Sequence, residues 1–65
     1  MRTYRVAVVD RGVELEVLYD GPDWTTARAA WDVGRSSRER DRGLTLVLTE
    51  SEGEAVVREA RAHIY

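Results

Sequence analysis

Two stretches of strict alternation, residues 3–9 and 13–19, flank the tripeptide Asp10-Arg11-Gly12. In the first, Tyr4, Val6 and Val8 share one face and Arg5, Ala7 and Val9 the other. In the second, Val13, Leu15, Val17 and Tyr19 oppose Glu14, Glu16 and Leu18. A period of two with β-branched residues reads as strand. The tripeptide is turn chemistry, with Gly12 free to take a positive φ. Setting Val8 opposite Leu15, Val6 opposite Val17 and Tyr4 opposite Tyr19 turns every large apolar side chain inward. A slip of one residue would set valines against glutamates. The chain therefore opens with a hairpin, and whatever follows must cover its apolar face.

Gly21-Pro22 stops the second strand, and Asp23 is suited to cap a helix over residues 24–33. Trp24, Ala27, Ala30 and Trp31 recur at spacings of three and four, which draws an apolar stripe. Gly34 reads as the helix terminator, and residues 35–43 as a loop without an apolar side chain. Leu44, Leu46 and Leu48 alternate with Thr45, Val47 and Thr49 and form a third strand. Ser51-Glu52-Gly53 then closes a second hairpin into a strand from Glu54 onward. The alternative is a capping box from about Ser51 and a C-terminal helix, giving ββαβα. Within the hairpin reading, Arg58 is misplaced, since it shares a face with Val56 and Ala60.

The expected fold is thus α+β, in the order ββαββ: a four-stranded, mainly antiparallel sheet with one helix packed on one face. This element order resembles that of small β-grasp domains. The resemblance implies that the first and last strands lie side by side and parallel, and it carries no functional residue.

Composition bounds the function. Sixty-five residues form one domain, residues 1–65. A chain this short buries only about 60% of its unfolded surface and usually needs a disulfide, a metal or a partner. It has no cysteine and a single histidine, His63. Neither a metal site nor a cofactor is expected, and self-association is the remaining source of support. All ten basic residues are arginine, and Phe, Asn and Gln are absent, a bias typical of GC-rich bacteria or their phages. The net charge of −2 gives no global pull toward nucleic acid or an anionic membrane. No apolar run spans a bilayer, and no leader is apparent at the N-terminus, so a cytoplasmic protein is expected.

Four features are candidate sites. Trp24 and Trp31 read as core, with Trp24, nearer the helix start, the better partner anchor. Arg35, Arg38, Arg40 and Arg42 form a positive loop interrupted by Glu39 and Asp41; it reads as a solvated connection or as a phosphate-binding loop. The sheet face away from the helix is expected to carry Ala7, Val9, Leu18, Val47 and Val57, a surface for a second copy. Glu50, Glu52 and Glu54 read as solvated acids around a turn, without calcium-loop spacing. No nucleophile constellation or glycine-rich phosphate loop is present. The chain is expected to be a non-catalytic protein-interaction module that self-associates, of a type that mobile elements use to regulate or inhibit a host protein. A nucleic-acid-binding accessory protein using residues 35–42 is the second reading.

Overall fold

The computed structural model describes residues 1–36 and 44–63. The elements run β1 (Arg2–Asp10), β2 (Val13–Gly21), α1 (Trp24–Ser36), β3 (Thr45–Glu52) and β4 (Ala55–His63). The order is ββαββ, and residues from Ser51 onward build a hairpin rather than a helix.

The four strands form one antiparallel sheet in the order β2-β1-β3-β4. The first and last strands are therefore not neighbours, contrary to the β-grasp arrangement. β1 pairs instead with β3, over the whole length from Arg2 opposite Glu52 to Val9 opposite Thr45. That register sets Val6 against Leu48 and Val8 against Leu46 on the helix side. The best apolar match for β1 is thus the leucine strand, whereas the small side chains of β4 offer it little to pack against.

Both hairpins close with two loop residues. Arg11 (φ 52°) and Gly12 (φ 80°) both take positive φ, as a type I′ turn requires. At the second turn only Gly53 (φ 61°) does so. The predicted register of the first hairpin holds next to the turn, at Asp10 opposite Val13 and Val9 opposite Glu14. It then shifts twice, leaving Leu15 and Leu18 as extra residues on β2. These bulges re-aim the side chains beyond them. Val17 comes to face outward opposite Ala7 and is 40% exposed, Leu15 is 56% exposed, and Tyr19 faces inward opposite Val6. Leu18, expected on the outer face, turns inward and packs against the core.

The core is Val6, Val8, Ala27, Leu46 and Leu48, with Tyr4, Leu18, Tyr19, Ala30, Trp31 and Leu44 packed around it. Small residues let α1 sit close to the sheet. Gly34 does not end the helix; it lies within it and is buried. A Cβ there would stand 2.9 Å from Leu18 Cδ1 and 3.1 Å from both Leu46 methyls. The tertiary approach of helix to sheet, rather than a left-handed cap, is what requires glycine here.

Asp23 caps α1. Its carboxylate accepts from the Thr25 backbone N–H at 3.1 Å and from the Thr26 hydroxyl. The Asp23 N–H donates to the Tyr19 hydroxyl at 2.9 Å, which ties the helix start to the end of β2. On the outer face Arg5 bridges Glu14 and Asp20 across β1 and β2. At the far end Arg2 reaches Glu50 at 2.8 Å and Glu52 at 3.0 Å.

These contacts set an acid response. The Thr26 hydroxyl holds the Asp23 carboxyl below its ordinary value, Arg5 does the same for Glu14, and Arg2 with the N-terminal ammonium for Glu52. A carboxyl with a depressed folded pKa adds stability above its unfolded pKa and loses it as pH falls through the folded value. The melting temperature is therefore expected to stay level from neutral pH to about 5 and to fall between about pH 5 and 2. Thermal melts followed by circular dichroism check this; a melting temperature unchanged at the acid end contradicts it.

Candidate functional site

The helix crosses β1, β2 and part of β3, and it leaves the helix-side face of β4 largely uncovered. Between α1 and β4 lies an open groove of about 380 Å³, lined by Trp24, Arg28, Trp31, Asp32, Arg35, Leu48, Arg58 and Ala60. Its origin is a mismatch of widths. One helix about 10 Å across covers roughly two strands spaced at about 4.8 Å, and the sheet has four.

One wall is a flank of α1. Trp24, Arg28, Trp31 and Arg35 stand at i, i+4, i+7 and i+11, so indole and guanidinium alternate down the groove. Each type repeats after seven residues, a rise of about 10.5 Å. Trp24 is 41% exposed and rests against Tyr4, with ring centroids 5.3 Å apart and planes tilted by 53°. Trp31 is half-buried and packs on the core. The two indoles thus differ: Trp31 packs one side on the core and lines the groove with the rest, whereas Trp24 is the more exposed.

The floor and opposite wall come from Leu48, Ala60 and Arg58. Arg58 shares this face with Ala60 by regular alternation, and a bulge in β4 takes Val56 off it. Val56 pairs with Ser51 on the outer face, the register then shifts, and Arg58 pairs with Glu50 on the helix side. The conflict that the sequence pattern raised at Arg58 is eased twice: the extra residue, Val57, turns Val56 to the outer face, and Glu50 stands opposite Arg58. Arg58 donates to Glu50 at 3.1 Å, while Arg2 donates to the other carboxylate oxygen at 2.8 Å. Glu50 is only 4% exposed. The expectation that Glu50 is a solvated turn acid is overturned: β1 and β4 each supply a cation that permits its burial.

The groove is electropositive within an acidic chain. Among the described residues, Arg28, Arg35 and Arg58 face one exposed acid in the lining, Asp32. Part of the Arg58 charge is answered by Glu50. No hydrogen bond or ion pair with another described residue engages the Arg28 or Arg35 guanidinium.

The residues singled out from sequence fall in different places. Arg35 is in the last turn of α1 and lines the groove with Trp24. Arg38, Arg40 and Arg42 lie outside the described residues. Val47 and Ala7 are buried on the outer face, Val9 is half-buried, and Val57 is half-exposed at the bulge. Leu18 belongs to the core side. Neither Arg28 nor Arg58 was a candidate site residue, although Arg28 lies on the tryptophan stripe, four residues from Trp24 and three from Trp31.

Among the described residues the sheet has two open edges, β2 and β4. β2 is interrupted by its two bulges, which blunt an edge against further pairing. β4 runs without a register shift from Arg58 to His63. Among the described residues no cluster of three or more His, Cys, Asp or Glu is placed to hold a metal, and no helix is long and apolar enough to cross a membrane. No family model, no curated protein and no solved structure matches the chain.

Proposed function

We propose that the chain is a non-catalytic interaction module that self-associates by pairing the β4 edges of two copies. The observation that carries this is the regular, unpaired β4 edge beside a sheet half that the helix leaves bare. A small domain without cysteine gains most by continuing its sheet into a second copy.

The charges on β4 select a register. Two copies paired antiparallel with Ala60 opposite Ala60 place Glu59 opposite Arg61 of the second copy, twice by symmetry. Sliding by one pair in either direction sets Glu59 opposite Glu59 or Arg61 opposite Arg61, and like charges directly opposite are destabilising. Registers with odd offsets would put the two helices on opposite faces of the joined sheet. The Ala60-centred register keeps both helices on one face and sets the Glu59–Arg61 pair that each copy already makes, at 2.9 Å, against that of the other, so that four charges alternate in sign.

On the outer face Val17 and Val56 are exposed but lie on separate strands around buried Ala7 and Val47, and Arg5 spends its guanidinium on Glu14 and Asp20. Light scattering across a concentration series is expected to show a monomer giving way to a dimer. A monomer at every concentration up to the millimolar range would sink this reading.

A further inference from the structure

The groove carries a second inference, independent of how β4 pairs. We infer that the groove between α1 and β4 binds a short single-stranded nucleic acid, its bases stacked on Trp24 and Trp31 and its phosphates held by Arg28 and Arg35 with Arg58 opposite. Single strands are held by aromatic platforms set along a positive channel. The alternation of indole and guanidinium down α1 supplies both elements in one line.

The groove offers little to a peptide of the same charge. Its walls are a helix flank and one face of a sheet, and the free backbone groups of the β4 edge lie in the sheet plane, pointing away from the groove. An extended peptide would find no main-chain donors there, and would lose the backbone ladder on which strand addition depends. Flat rings and planar guanidinium forks match bases and phosphates instead. Arg28 and Arg35 have no partner within the described fold, so their charge is free for a ligand. Asp32 opposes binding and keeps the affinity modest.

The test uses the full chain with a fluorescein-labelled oligothymidylate, read by anisotropy, and with the unlabelled strand, read by tryptophan quenching. Three arginine contacts on a single strand predict a slope of log affinity against log salt of about −2, or a roughly 20-fold loss between about 50 and 200 mM salt. Arg28→Ala with Arg35→Ala is expected to weaken binding at least ten-fold at low salt and to bring the slope to about −0.7. Both side chains are exposed, so the variant should melt like the parent. Asp32→Ala is expected to tighten binding, the opposite of what general damage to the helix would do. Three outcomes overturn the inference: no anisotropy change at low salt, binding indifferent to the double variant, or a glutamate polymer of equal length binding as tightly. Light scattering reports β4 pairing separately, so either proposal can fail alone.

Discussion

Leu46→Ala is expected to unfold most of the population at temperatures where the parent is folded. Leu46 is fully buried, pairs beside Val8 and lies directly beneath Gly34. Truncating a buried leucine costs about 2–5 kcal/mol, the lost transfer energy plus the cavity left behind. A 65-residue domain has roughly 3–10 kcal/mol in total at typical stability per residue. The substitution therefore removes a large share of it, and each kcal/mol is worth about 4–8 °C of melting temperature at this size. The cavity would be hard to refill, since its neighbours Ala27 and Gly34 carry no atoms that could move in. Denaturant titration is the check; a loss under about 1 kcal/mol would mean that the helix does not pack on β3 as described.

Gly34→Leu is expected to have a comparable effect by the opposite mechanism. Leucine is a better helix former than glycine by most of 1 kcal/mol, so local propensity alone predicts stabilisation. The contacts predict the reverse. Even a Cβ would stand within 3.1 Å of Leu18 and Leu46 methyls, and a whole side chain has no space. Overpacking of this kind costs about 1–3 kcal/mol or more. Gly34→Ala separates the two terms. Its propensity gain of about 1 kcal/mol offsets a contact that the leucine methyls can partly relieve, and the net change should stay within about 1 kcal/mol of zero. A Gly34→Leu variant more stable than the parent would show that Gly34 is solvent-facing and that the helix sits elsewhere.

Gly34 also marks what the sequence can reveal. The strands were legible because their alternation is a local property, and Asp23 because a capping side chain acts within three residues. Gly34 just past the tryptophan stripe resembles a helix stop, and only the distance to Leu18 and Leu46 shows its other use. The bulges at Leu15, Leu18 and Val57 are invisible to a period-two reading, which assumes that alternation never slips. Each slip moved a residue to an unexpected face: Leu18 inward, Val17 outward, Val56 to the outer face. The partnership of β1 with β3 depends on which strands match in bulk across the sheet, a comparison between distant segments.

The candidate site was legible only in part. Trp24 and Arg35 were visible as types worth noting, but the groove that joins them to Arg28 and Arg58 is a consequence of one helix covering too little of a four-stranded sheet. The burial of Glu50 likewise rests on Arg2 and Arg58, which flank it from separate strands. Nothing in the local pattern around Glu50 distinguishes it from its exposed neighbours.

Charge exchange on β4 tests the proposed self-association most directly. Glu59→Arg alone and Arg61→Glu alone each set like charges opposite one another across the Ala60-centred dimer. Losing two cross-strand pairs and gaining two repulsive ones should weaken each variant's self-association by roughly ten-fold or more. In an equimolar mixture of the two variants every cross-strand pair is again of opposite sign. The predicted result, by sedimentation equilibrium, is a mixed dimer about as tight as the parent from two variants that are each largely monomeric. If both variants dimerise like the parent, or if the mixture stays as monomeric as its components, the β4 pairing is wrong.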